Sequence, residues 1–215
     1  TLQNWMRRGL TGYLSGVAKA PNGGKWVLVG DDGQLHGNVA VMTSVDGATW
    51  TAVPTGFAGS LKSVTWGAGN FVAVGDGTMI LTSPDGTTWA QARISRTSHL
   101  NAIHYTGSRF VAVGNVGAIY TSTDGFSWTT RVSGTSENLS AVASGGSTVV
   151  ASGAQGTILK SSDGLSWTPA TSGTYDGIGN VAYGSGRFVA TTTNGEVLTS
   201  GDGSSWTKYS ARVNG

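Results

Sequence analysis

Short runs of β-branched and aromatic residues alternate with glycine-rich polar turns along the chain, and no segment carries the 3.6-residue apolar period of an amphipathic helix. The runs Trp26 to Gly30, Phe71 to Gly75, Phe110 to Gly114, Val149 to Gly153 and Phe188 to Thr192 have the length and composition of strands. Each follows a shorter apolar segment, around Val17, Val64, Ile103, Val142 or Val181, across a turn such as 67–70 or 106–109. A third segment enters at Ile80, Ile119, Ile158 and Val197, and a fourth begins at a Trp, as in 128–132. The pattern predicts an all-β chain made of four-stranded units.

The units recur. Trp50, Trp89, Trp128, Trp167 and Trp206 are spaced by 39 residues each time, and each closes the same heptad: SVDGATW, SPDGTTW, STDGFSW, SSDGLSW and SGDGSSW. Four-stranded units of this length repeated in tandem cannot bury both faces alone, so they stack radially as the blades of a propeller. Five units predict a five-bladed β-propeller with antiparallel blades, occupying 1–215 as one domain. One strand is surplus: Gln3 to Arg7, led by Trp5, resembles a fourth strand with no heptad before it. It competes with the Trp206 strand for the edge of the last blade. Trp206 is the favoured occupant because it keeps its full heptad, which leaves residues 1–11 as an extra strand, an edge cover, or a remnant of a longer array.

These heptads, with Ser44, Asp46, Gly47 and Trp50 and their four repeats, resemble the Asp-box motif of the bacterial neuraminidase-type repeat family. The motif has a physical reason. A turn between the third and fourth strands needs left-handed backbone, which Gly47, Gly86, Gly125, Gly164 and Gly203 supply. The carboxylates of Asp46, Asp85, Asp124, Asp163 and Asp202 are placed to accept backbone N–H groups of their own turns. The five Trp anchor the next strand, each burying roughly 150–250 Å², on the order of 4–6 kcal/mol as an upper estimate. The resemblance implies that the box is structural and lies away from the binding face. It does not give function, since the motif occurs in sialidases, lectins, sorting receptors and scaffolds alike.

Composition narrows the picture only slightly. Thirteen Lys and Arg against eleven Asp and Glu leave a net charge of +2 with no basic run, which argues against a nucleic-acid partner. The 35 glycines fall at fixed offsets with only four prolines, as turns do and low-complexity chains do not. With no cysteine, a disulfide framework, a zinc-thiolate site and a thiol nucleophile are all excluded. No apolar stretch is long enough to cross a bilayer and no signal-peptide pattern is present. A chain opening at Thr1 reads as a processed or excised piece, and the family resemblance favours a secreted or cell-envelope setting.

The repeat absorbs five Asp and five Trp, so candidate chemistry is confined to what varies between units. Loops near the strand 2 to strand 3 turns and the blade connections offer Asp31, Asp32, His36, Asp76, His99, Asn115, Glu137, Tyr175 and Asp176, together with Arg96 and Asn138. His104 stands where other units have Ala18, Thr65, Ala143 and Ala182, and is read as either facing the central axis or satisfied structurally. The three histidines lack metal-ligand spacing, so no metal and no cofactor are expected. Glycoside hydrolysis would need two carboxyls flanking one bond, and none of Asp31, Asp32, Asp76, Glu137, Asp176 and Glu196 is singled out as such a pair. The Phe-Arg-Ile-Pro sequence of sialidases is absent, Arg93-Ile94 being its faint echo.

The sequence therefore favours a non-catalytic binding module over an enzyme. The leading expectation is a lectin-like propeller using Tyr13, Trp66, Tyr105, Tyr175 and Tyr183 against sugar rings. The alternatives are a protein-docking scaffold of the assembly-factor kind and an amplified or engineered propeller without a specific ligand. The expected partner is a glycan or another protein, with the chain a monomer or weak oligomer and not inserted in a membrane.

Overall fold

Each repeat folds into one antiparallel sheet whose strands lie side by side in chain order. We describe a computed structural model for residues 13–31, 39–92, 94 and 98–210. Blade 1 comprises β1 (Leu14–Lys19), β2 (Trp26–Asp31), β3 (Val39–Ser44) and β4 (Thr51–Ala52). Blade 2 comprises β5 (Leu61–Gly67), β6 (Asn70–Gly75), β7 (Ile80–Ser83) and β8 (Ala90–Gln91). Blade 3 comprises β9 (Leu100–Tyr105), β10 (Phe110–Gly114), β11 (Ile119–Ser122) and β12 (Thr129–Arg131). Blade 4 comprises β13 (Leu139–Gly145), β14 (Thr148–Gly153), β15 (Ile158–Ser161) and β16 (Thr168–Ala170). Blade 5 comprises β17 (Ile178–Gly184), β18 (Arg187–Thr192), β19 (Glu196–Ser200) and β20 (Thr207–Ser210). The chain is a five-bladed β-propeller. The first strands β1, β5, β9, β13 and β17 adjoin in sequence and form its inner rim.

The fourth strands are shorter than expected and start one residue after the Trp, because the indole is occupied by the turn itself. In each turn the Ser Oγ accepts the Gly N–H at 2.8 Å. The Asp Oδ1 accepts the N–H groups two and three residues on, as Thr87 and Thr88 donate to Asp85 at 2.7 and 2.8 Å. The Trp Nε1 then donates to the Gly carbonyl in four turns, at 3.0 Å for Trp89 and Trp128 and 3.2 Å for Trp50 and Trp206. Trp167 is the exception, its buried Nε1 having no partner. The turn amides hold all five carboxyls below the usual carboxylate range. At Asp46, Asp85, Asp163 and Asp202 a backbone N–H is the largest influence. At Asp124 burial is the largest single influence and acts upward, but the Ser127 and Phe126 amides outweigh it.

Blades pack through one repeated junction. The second-strand Val and third-strand Val or Ile of one blade meet the second-strand Phe or Val, first-strand Leu or Ile and turn Trp of the next. Val72, Val74 and Ile80 against Leu100, Phe110 and Trp128 are the example between blades 2 and 3. Four such hydrophobic clusters join blades 1 to 2, 2 to 3, 3 to 4 and 4 to 5. Phe71, Phe110 and Phe188 are among the largest fully buried side chains, so truncating one to Ala would cost on the order of 3–5 kcal/mol. At the closing edge, β20 pairs with β19, placing the Trp206 strand in the last blade. The expected Trp5 strand lies outside the described residues.

Candidate functional site

The end of each second strand is pinned to the residue preceding the first strand. Asp31 N donates to Tyr13 O, Asp76 N to Ser60 O, Asn115 N to His99 O, Ala154 N to Asn138 O and Thr193 N to Gly177 O, all at 2.8–3.0 Å. Glycine at the strand end permits this approach, since a Cβ at Gly75 or Gly114 would stand within about 2 Å of the carbonyl of Ser60 or His99. Five pairs of variable positions are thereby fixed on one face of the propeller, at the turns between second and third strands.

In blades 2 to 4 these side chains join into a polar belt. Asp76 Oδ1 lies 2.7 Å from Lys62 Nζ and 2.9 Å from His99 Nδ1, the latter reaching across from the next blade. Lys62 Nζ also donates to Asn101 Oδ1 at 3.2 Å. Asn101 Nδ2 in turn donates at 2.8 Å both to Asn115 Oδ1 and to the Leu139 carbonyl of blade 4. Val116 N donates to Asn138 Oδ1 at 2.9 Å, closing the next step of the belt. Burial, the largest single influence on Asp76, pushes its carboxyl upward, but Lys62 and His99 together hold it below the ordinary range. The His99 Nδ1 atom donates to Asp76 when protonated, and in the other tautomer accepts Gly77 N at 3.4 Å. All of these groups are partly exposed, so the ion pairs orient side chains more than they stabilise the fold.

A groove of about 830 Å³ opens beside the belt in blade 3. Asn115 belongs to both, and the groove continues past Val116, Arg131, Val132 and Ser133. Val116 and Val132 are 72% and 85% exposed, giving the groove an apolar edge beside a row of amide donors and acceptors. The chemistry on offer is hydrogen bonding and apolar contact. Among the described residues no group of three His, Asp or Glu side chains is arranged to hold a metal ion.

The structure brings together Asp76, His99 and Asn115 of the residues singled out from sequence, with Asn138 beside them. Asp31 ends β2 in blade 1, within 3.5 Å of Tyr13 N. Asp32, His36 and Arg96 lie outside the described residues. Glu137 enters through its backbone, its carbonyl accepting Gly117 N at 2.9 Å. Asp176 pairs with Asn194 Nδ2 at 2.7 Å in blade 5, and its neighbour Tyr175 is 90% exposed. His104 sits at the other end of β9, its Nε2 2.8 Å from Ser144 Oγ of blade 4, and burial pushes its imidazole below the ordinary range. Of its two readings, this contact gives it a structural partner.

Two belt residues, Lys62 and Asn101, were missed by sequence reasoning. They share one repeat column with Ser140 and Gly179, just past the first-strand apolar residue, and that column's variability was the available signal. Conversely, Tyr105 and Tyr183 are less available for sugar stacking than expected. Each ring covers a glycine of the preceding blade, Gly67 and Gly145, so closely that a Cβ there would fall 2.1 Å from the ring. Trp66 is packed edge-on against Phe71 with centroids 4.6 Å apart. Of the five aromatics, Tyr13 and Tyr175 are freely exposed.

The model of the DUF6242 β-propeller domain matches residues 17–139, more than half of the chain. Among solved structures, one described as YCF48 bound to D1 peptide is similar at a TM-score of 0.72 and 19% identity, over 94% of this chain and 68% of that one. YCF48 from Cyanidioschyzon merolae is similar at a TM-score of 0.66 and 16% identity, over 92% and 72%. The GH74 enzyme of Niastella koreensis is similar at 0.62 and 21% identity, over 90% of this chain but 31% of the enzyme. At these identities the likeness is one of fold. A sequence comparison with curated proteins gives no match. The comparisons support a β-propeller family without singling out the neuraminidase-type repeat family that the heptads resemble. By its matched family model, this chain belongs to the DUF6242 β-propeller domain family.

Proposed function

We propose that this propeller is a non-catalytic protein-docking module that holds an extended segment of a partner on the face carrying Lys62, Asp76, His99, Asn101 and Asn115. The observation that carries the reading is the shared position of Asn115 in a polar belt and in a groove with an apolar edge. An extended peptide needs both, donors and acceptors for its main chain and a recess for alternate side chains. Asn115, oriented by Asn101, supplies the first, and the Val116 to Ser133 groove the second. A solved propeller of similar fold carries a bound D1 peptide, which supports the same class of partner. The carbohydrate reading draws less support, because Trp66, Tyr105 and Tyr183 are engaged in packing.

The test is selection of peptides from a displayed random library on the immobilised full chain. Binding is then measured for the selected peptides with Asn101→Ala and Val132→Glu. The expected result is a set of peptides whose affinity falls about tenfold or more in both variants, some 1.4 kcal/mol or above. Selection of no peptide, or of peptides indifferent to both changes, would overturn the reading. Saturable binding on a glycan array, lost in Asn101→Ala, would return the lectin alternative.

A further inference from the structure

Val116 sits in left-handed backbone, with φ at +56°, and among the described non-glycine residues with positive φ it is the one that is β-branched. In this region Cβ crowds the following carbonyl, and branching at Cβ makes the conformation an outlier for valine. The surrounding turn imposes it. Asn115 N donates to His99 O, Val116 N to Asn138 Oδ1 and Gly117 N to Glu137 O, each at 2.9 Å. A Cβ at Gly117 would stand 2.0 Å from Thr135 O, so the turn lies flat against the connection to blade 4.

Other blades build the same turn with less strain. Gly77 holds the position in blade 2 with φ at +62°, and Gln155, unbranched at Cβ, holds it in blade 4 at +52°. The Val116 isopropyl group adds no packing to the fold, being 72% exposed and outside the four hydrophobic clusters. A strained residue that the core does not explain marks a place where the side chain itself is used. Its setting indicates the use. Val116 lines the blade 3 groove, and Val132 is the second exposed aliphatic residue there. Its neighbour Asn115 spends its backbone N–H on His99 O and its carbonyl on Ser98 Oγ, and its Oδ1 accepts Asn101 Nδ2. The Asn115 Nδ2 donor is left for a ligand.

We propose that Val116 is a specificity-determining residue of this groove, its strained backbone presenting the isopropyl group to one Val, Ile or Leu side chain of an extended partner segment. The main-chain carbonyl beside that side chain accepts Asn115 Nδ2. The inference rests on the protein-docking reading above and adds to it which residue of the partner is read. It also fixes a sign. Removing the branched side chain relieves the turn and removes the contact, so stability and affinity move in opposite directions. A residue that merely shaped the turn would move them together.

The test uses peptides selected on the immobilised full chain, measured against wild type, Val116→Gly and Val116→Asn. Asn tolerates left-handed backbone and is close to valine in size, but lacks the isopropyl group. Both variants should raise the unfolding temperature by about 2 °C or more, and the selected peptides should share one aliphatic position. Affinity should fall about tenfold or more in both variants. Changing that peptide residue to Ala should weaken binding to the wild type and cost little further in either variant, the coupling expected of a direct contact. Peptides that respond to Asn101→Ala and Val132→Glu but bind Val116→Gly as they bind wild type would overturn this inference and leave the docking reading standing. Selection of no peptide would sink both. A lowered unfolding temperature in both variants, or selected peptides with no shared aliphatic position, would likewise refute the role assigned to Val116.

Discussion

His104 Nε2 lies 2.8 Å from Ser144 Oγ, tying the inner strand of blade 3 to that of blade 4. Burial disfavours the charged imidazole here, so its folded value sits below the 6.5 of the unfolded chain. As pH falls through about 6.5, the unfolded chain binds a proton that the folded chain resists, and stability is lost on the acid side.

Replacing His104 with Ala, the residue at the equivalent Ala143 and Ala182, should therefore do two things. Stability at neutral pH should fall by about 0.5–1.5 kcal/mol for the lost hydrogen bond, and the slope of unfolding temperature between pH 7 and 5 should flatten. Thermal unfolding across that range measures both, and an unchanged slope would contradict the burial argument.

The turn carboxylates act in a lower window with a similar outcome. All five have folded values below the ordinary 3.8, so their stabilisation is complete above that value and is lost as pH falls through the lower folded ones. Unfolding temperature should drop steeply below about pH 4. Asp85→Asn should be destabilised at pH 7 and show a shallower acid limb, which thermal unfolding at pH 2–7 would reveal.

Trp to Phe exchanges should rank the five turns. Trp89 and Trp128 each donate at 3.0 Å to the turn glycine, while the buried Nε1 of Trp167 has no partner. Trp167→Phe removes an unsatisfied donor and should cost about 1 kcal/mol less than Trp89→Phe or Trp128→Phe in denaturant unfolding. Equal costs would mean that the indole hydrogen bond contributes nothing.

Two glycines should respond oppositely to Ala. A Cβ at Gly153 would meet Asn138 O at 2.1 Å, so Gly153→Ala should cost about 1–3 kcal/mol. At Gly179 no atom lies within 4 Å, and Gly179→Ala should be neutral or stabilising by up to about 1 kcal/mol. Denaturant unfolding of the pair separates steric approach from a general intolerance of substitution.

The blades were legible because one column of Trp recurs every 39 residues and the strands keep a fixed offset from it. Periodicity also singled out Asp46, Asp85, Asp124, Asp163 and Asp202, each of which accepts the backbone N–H three residues on. The candidate site was half visible. Asp76, His99 and Asn115 vary within their columns and stood out, but Lys62 reads as a stray surface charge until blade packing sets it 2.7 Å from Asp76 and 3.2 Å from Asn101. Such meetings depend on the stagger between neighbouring sheets, which no single repeat encodes. The same stagger lays Tyr105 and Tyr183 over glycines of the preceding blade, where exposure for a ligand was expected.

Among the described residues each sheet joins strands that are neighbours in sequence, and each hydrophobic cluster spans two adjacent blades. Among the described residues blades 2, 3 and 4 each take part in two such clusters and blades 1 and 5 in one, so stability is shared between neighbouring units. Opening should begin in the blades that share one described cluster and reach those that share two last. Amide hydrogen exchange will report this directly, with β9 to β11 of blade 3 retaining their protons longest and β18 and β19 of blade 5 surrendering theirs early.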